Sequence, residues 1–172
     1  EKNNYITIGI YNKPGKITEK MFDIWAKILT KNKKTKILFQ YLSGYTENKK
    51  KTFYDKFNKY GIQKDRVIFI ENNKTHFQNM QLADFALDTF PYTGTGTTMD
   101  SLLMGLPVVC LEGFNSSSRP TSRILKQIGE DWLISKNTDE YIKKVDYLIN
   151  HPNVIKEFRY SIRNKIKNSI QK

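Results

Sequence analysis

A chain of 172 residues with 38% hydrophobic and 27% charged residues has the balance of one globular domain with its own core, and no apolar run reaches the roughly 20 residues of a membrane-spanning helix. A single cysteine, Cys110, excludes an intrachain disulfide and a multi-cysteine zinc cluster; it sits in the apolar run Val108-Val109-Cys110-Leu111 and is expected as a buried strand residue. The net charge of +12 admits a polyanionic partner. The lysines are nevertheless scattered over Lys31 to Lys36, Lys49 to Lys51 and the tail from Lys156, with no RNA-binding aromatic signature or zinc-finger spacing beside them. Compositional bias is the simpler account of the charge, and nucleic acid is not the expected partner. Glu1-Lys2-Asn3-Asn4 shows neither an initiator Met nor a leader pattern, so the chain is expected to be a segment of a longer, cytoplasmic protein.

In chain order, Ile6 to Tyr11 is the first predicted strand. Thr18 to Leu29 places Met21, Phe22, Trp25, Ile28 and Leu29 on one helical face, with Thr18 as N-cap. Ile37 to Leu42 is a second strand, and Glu47 to Tyr60 a helix stopped by Gly61. Val67 to Ile70 is a third strand, Thr75 to Gln81 a short helix, and Phe85 to Leu87 a fourth strand. A Gly/Thr loop leads into a helix from about Thr97 to Met104, followed by a fifth strand over Pro107 to Leu111. Beyond the loop Asn115 to Ser118, Arg119 to Ile128 reads as a helix ended by Gly129, and Trp132 to Ile134 as a sixth strand. Asn137-Thr138-Asp139-Glu140 is a capping box opening a helix to Asn150, and Pro152 opens a last basic helix.

Strand–helix alternation predicts a parallel sheet covered on both faces, an α/β doubly wound Rossmann-like domain over residues 1–172, with the last basic helices over about 138–170. Ligands of such sheets bind beyond the carboxyl ends of the strands. The loops to search are therefore Asn12 to Ile17, Ser43 to Thr46, Glu71 to His76, Thr89 to Thr98 and Glu112 to Arg119.

The run from Asp88 to Asp100 (Asp-Thr-Phe-Pro-Tyr-Thr-Gly-Thr-Gly-Thr-Thr-Met-Asp) is the most informative of these. Glycines allow close backbone approach, threonines supply hydroxyls, and a helix start offers free N–H groups, a combination suited to a diphosphate. It is neither a P-loop nor G-x-G-x-x-G, and its alternative reading is a turn with Thr97 or Thr98 as helix cap. Asp100 is either a carboxylate favouring the helix N-terminus or an acceptor for ribose hydroxyls. Lys16 is a surface lysine or a counter-charge for a diphosphate; His76 is a structural histidine or a contact to a base or phosphate. His151, in an Asn-His-Pro turn, reads as structural.

Three stretches of the chain resemble the C-terminal catalytic half of the O-linked N-acetylglucosamine transferase family, which includes bacterial cytoplasmic glycosyltransferases that modify adhesins. They are Lys16-Ile17 with Trp25-Ala26-Lys27-Ile28-Leu29; His76 with Gln81-Leu82-Ala83-Asp84; and Leu87-Asp88-Thr89 through the Gly/Thr loop to Met99-Asp100 and Gly105-Leu106-Pro107-Val108-Val109. The resemblance runs from about Ile6 to Ile170. It implies the C-terminal half of a GT-B glycosyltransferase, with a UDP-sugar as donor, a protein side chain as acceptor, and an inverting reaction without metal or other cofactor. The N-terminal half of the same protein would be its structural partner. It further implies that Lys16 contacts the diphosphate and is the residue of this half that serves catalysis. Gly94, Thr95 and Gly96 would offer backbone donors, Thr97 a hydroxyl with Thr98 beside it, His76 a contact near uracil and ribose, and Asp100 the ribose carboxylate. Thr95 stands where the animal enzymes carry histidine, and Gln78 and Asn79 where they carry a basic residue, a pattern leaning to the bacterial branch. No general base is evident in this half. Two other classes fit the residues alone: a basic nucleic-acid-binding domain, and a non-catalytic interaction module on the same fold.

Overall fold

A computed structural model describes residues 4–41, 45–70 and 76–170. Six strands form the sheet: β1 Ile6–Ile10, β2 Thr35–Phe39, β3 Val67–Phe69, β4 Phe85–Leu87, β5 Val108–Leu111 and β6 Ile134–Ser135. Between and after them lie α1 Glu19–Lys31, α2 Glu47–Asn58, α3 His76–Met80, α4 Gly96–Leu103, α5 Pro120–Gln127, α6 Thr138–Asn150 and α7 Pro152–Ile170. The strand order is β3-β2-β1-β4-β5-β6 and every pairing is parallel. The chain therefore winds outward from β1 to β3, then crosses to the other side of β1 to begin β4. Connections leave β1 and β4 in opposite directions, which opens a crevice at their carboxyl ends. The doubly wound Rossmann-like architecture expected from the sequence is the one observed.

Local signals explain most boundaries. The Thr18 hydroxyl accepts from the Met21 amide and caps α1; Pro120 occupies the first turn of α5; Gly61 and Gly129 take positive φ values where helices stop. At α6 the Asn137 side chain accepts from the Glu140 amide, and the Glu140 carboxylate accepts in return from the Lys136 amide and the Asn137 side chain. We expect Asn137→Ala to lower stability by about 1 kcal/mol in chemical denaturation, the usual worth of such a cap. One expectation fails. Residues 131–133 form a 3-10 turn rather than a strand, because the Leu133 amide closes onto the Glu130 carbonyl and the Trp132 indole donates to the Glu130 carboxylate. The sixth strand starts only at Ile134, where pairing with Cys110 begins. The expected ends of the second strand at Leu42 and of the third helix at Thr75 lie outside the described residues.

The core explains the alternation of elements. All residues of β4 and β5 are buried, as strands covered on both faces must be. α1 packs on α2 and α6, and α4 on α7. Phe39 of β2 stacks on Phe69 of β3 with ring centroids 5.3 Å apart and meets Phe53 edge-on at 5.2 Å. The Gln81-Leu82-Ala83-Asp84 stretch serves this scaffold. The Asp84 carboxylate accepts from the Thr7 amide at 2.7 Å, starting β4 beside β1, while Arg159 of α7 donates to the Ala83 carbonyl.

Candidate functional site

The crevice between β1 and β4 is built from the two loops that leave those strands. After β1, Pro14–Lys16 forms a 3-10 turn with proline in its first position. That turn sends Lys16 across the crevice, where Nζ donates to the Thr93 carbonyl at 2.9 Å. A second tie runs beside it, from the Thr18 hydroxyl to the Phe90 carbonyl. After β4, the Thr89 hydroxyl donates to the Tyr92 carbonyl at 2.6 Å and closes a turn over the cis Phe90–Pro91 bond. The loop then enters α4.

Helix α4 starts without a side-chain cap. Thr95 is its N-cap residue and its hydroxyl makes no capping bond; the first amide returned to the helix is that of Met99, to the Thr95 carbonyl. The amides of Gly96, Thr97 and Thr98 have no acceptor among the described residues. Thr97 and Thr98 are therefore not the cap that the loop pattern alone allowed. Unpaired amides at the positive end of a helix, with a lysine bound to the loop that leads into it, form an anion-receptive surface.

Beneath this surface lies Asp88, at 2% exposure. Its Oδ1 accepts from the Asn12 side chain at 2.8 Å, the Thr89 amide at 2.9 Å and the Gly94 amide at 2.9 Å; its Oδ2 accepts from the Thr121 hydroxyl. Loss of water pushes its carboxyl up to about 6, against the pull of those four donors. Thr121 is also 2.7 Å from the Gly94 carbonyl and 2.9 Å from the Thr98 hydroxyl, which itself donates to Gly94 at 2.8 Å. The Tyr141 hydroxyl, in contact with the Trp25 indole, donates to the Asp88 carbonyl from below. Asp88 thus joins the loop after β1, the Gly/Thr loop and the first turn of α5.

The geometry divides the residues singled out from the sequence. Lys16, Gly96 and Thr97 converge on the crevice, with exposed Thr95 at its lip. Gly94 and Thr98 are buried and occupied: the Gly94 amide is spent on Asp88 and the Thr98 hydroxyl faces inward. The expectation that Gly94 offers a backbone donor to a ligand is corrected accordingly, since a donor held by a buried carboxylate is not free. His76 and Asp100 face each other across the other end of the crevice, Nε2 to Oδ2 at 3.7 Å, with side chains 16% and 33% exposed. The His76 Nδ1 and the Gln40 Oε1 are buried without a partner among the described residues. Cys110 is buried, its thiol pushed up by loss of water, and His151 stacks on Tyr147 and contacts its carbonyl, as their sequence readings expect. Asn12, Asp88 and Thr121 carry no site role in the sequence reading. The one local hint was a carboxylate ending the buried run Phe85-Ala86-Leu87; nothing near Thr121 pointed 33 residues back to it.

A parallel 3-2-1-4-5-6 sheet with an anion-receptive helix start at its switch point is the Rossmann-like design of one half of a GT-B glycosyltransferase. More particularly, the chain belongs to glycosyl transferase family 41, whose model matches residues 2–171. It is 30% identical over 164 residues, 94% of this chain, to the probable UDP-N-acetylglucosamine–peptide N-acetylglucosaminyltransferase SPINDLY of Eustoma exaltatum subsp. russellianum, and covers 18% of that protein. Against the UDP-glucose:protein N-beta-glucosyltransferase of Actinobacillus pleuropneumoniae serotype 5b it is 29% identical over 89 residues, 51% of this chain and 14% of that protein. Among solved structures, a Thermobaculum terrenum O-GlcNAc transferase mutant superposes with a TM-score of 0.89 at 25% identity, over 97% of this chain and 32% of that one. The chain thus spans less than a fifth of the curated relatives' length. Among the described residues no helix is long and apolar enough to cross a membrane.

Proposed function

We propose that this chain is the donor-binding half of an inverting glycosyltransferase that passes a hexose or N-acetylhexosamine from a UDP-sugar to a protein side chain in the cytoplasm, with no metal ion in the reaction. The observation that carries the reading is the set of unpaired amides of Gly96, Thr97 and Thr98 at the switch point, with Lys16 tied to Thr93 in the loop that leads to them. When the glycosidic bond breaks, the departing diphosphate gains negative charge, and fixed donors aimed at it lower the barrier. Lys16, those amides and the Thr97 hydroxyl take that part. Asp100 accepts ribose hydroxyls, with His76 beside it toward the base. The second Rossmann-like half of the protein shapes the acceptor site, and any general base comes from that half or from the substrate. The donors and acceptors in the names of the relatives support the same class. The bacterial branch, favoured by Thr95, belongs to the same proposal.

Calorimetric titration with UDP, and with AMP as control, at two salt concentrations tests the reading. UDP-selective binding is expected, weakened about tenfold or more by Lys16→Ala, roughly the 1.4 kcal/mol of one charge-assisted contact. Equal affinity for AMP would remove the UDP-donor assignment. An unchanged affinity in a folded Lys16→Ala variant would remove Lys16 from the site. Binding that tracks salt alone, with no preference for UDP, would point instead to a general polyanion surface.

A further inference from the structure

Asp88 is a buried carboxylate without a cationic partner among the described residues, and it lies under the loop that the donor-site reading gives to an anion. Lys16 is committed to the Thr93 carbonyl. Asp88 and Thr97 line the same small cavity, and the Gly94 amide that shapes the loop rests on Asp88 itself. A diphosphate over the amides would therefore meet a like charge directly beneath them, in a setting where water screens little.

The hydrogen bonds around Asp88 are complete in either protonation state. Three donors fix Oδ1, so the proton can only reside on Oδ2. With Asp88 ionised, Thr121 donates to Oδ2 and Thr98 donates to the Gly94 carbonyl. With Asp88 neutral, Oδ2 donates to Thr121, whose own proton turns to the Gly94 carbonyl 2.7 Å away. No group is left unpaired by the change, and no backbone has to move.

Resting on the donor-site reading, we propose that binding of a diphosphate over the Gly/Thr loop draws a proton from solvent onto Asp88 Oδ2, so that donor and proton bind together. The step forms one O–H bond, and the buffer supplies the proton. The other titratable groups around Asp88 do not substitute for it. Tyr11, which lines the same cavity, Cys110 of β5 and Tyr141 of α6 are all held protonated by burial. Arg119, ahead of α5, donates to the Gly113 carbonyl. The His76–Asp100 pair lies across the crevice and is unaltered in an Asp88 variant. Asn at position 88 reproduces the neutral pattern, with its carbonyl toward the three donors and its amide toward Thr121.

The probe is a UDP-sugar, whose diphosphate diester keeps a fixed charge where UDP itself titrates. Calorimetry in two buffers of different ionisation heat counts protons taken up on binding. Wild type is expected to take up a fraction of a proton near pH 6.5, and its affinity to fall about three- to tenfold from pH 5.5 to 7.5. Asp88→Asn is expected to abolish both effects. In wild type the carboxyl carbon resonance of Asp88 should titrate at a higher pH with the UDP-sugar bound, a measurement that stands whether or not the variant folds. Binding without proton uptake, or uptake that survives in folded Asp88→Asn, overturns the proposal and leaves the donor site intact. Absence of any UDP-sugar binding by wild type overturns the donor-site reading and this proposal with it.

Discussion

Gly94→Ala is expected to abolish measurable UDP binding and to lower stability by about 1–3 kcal/mol, the range for forcing an extra methyl into a packed site. The cause is steric alone, since Gly94 does not take a positive φ. A Cβ built there would collide with the Thr97 hydroxyl and stand 2.9 Å from the Asn12 side-chain nitrogen. Both contacts are shorter than any real Cβ tolerates. The Thr97 hydroxyl would have to turn away from the loop, and Asn12 would have to release Asp88. Gly96 two residues on is the matched control. Nothing lies within 4 Å of its hypothetical Cβ, so Gly96→Ala is expected to keep the fold and its stability. Thermal melts and UDP titrations of the two variants check the contrast. Equal behaviour would show that close packing at Gly94 does not govern the loop.

Asp88→Ala is the second large effect. It leaves the Thr89 and Gly94 amides and the Asn12 side chain facing a void, buried and unpaired. Each such group costs about 1–3 kcal/mol, part of which is returned by removing an uncompensated charge. A net loss of roughly 3 kcal/mol is expected in acid, where Asp88 is neutral and returns nothing. The pH dependence has a definite sign. The Asp88 carboxyl rises from 3.8 in the unfolded reference to about 6 in the fold. Between those values the folded chain holds more protons than the unfolded one, so this group's contribution to stability falls as pH rises. Above about 6 it stays at its lower level. The stability gap between wild type and Asp88→Ala should therefore be widest near pH 4 and narrow by roughly 2–3 kcal/mol by pH 7. Urea unfolding across that range measures it; a gap that widens with rising pH would mean that the ionised form is the better packed one.

The order and kind of the elements were legible along the chain because each rests on neighbours in sequence. The stripe Met21, Phe22, Trp25, Ile28 and Leu29, the cap at Thr18, the capping box at Asn137 and the stop at Gly129 act within a few residues of themselves. Strand–helix alternation then admitted few topologies, and the parallel doubly wound sheet followed. Where a local reading failed, at residues 131–133, a side chain and a carbonyl of Glu130 outweighed the β propensity of Trp132. Lys16, His76 and Asp100 stood out through family resemblance, and their local spacing left a bland alternative beside each. What only the tertiary structure decided is which polar groups remain free. The Lys16 amine meets a carbonyl 77 residues away, Asn12 meets Asp88 76 residues away, and Thr121 reaches back 33 residues to the same carboxylate. Those meetings depend on β4 lying beside β1 and on the packing of α5, and no local pattern records them. The same packing turned Thr98 inward and left the amides of Gly96 and Thr97 outward, a distinction that two adjacent threonines of equal propensity cannot carry by themselves.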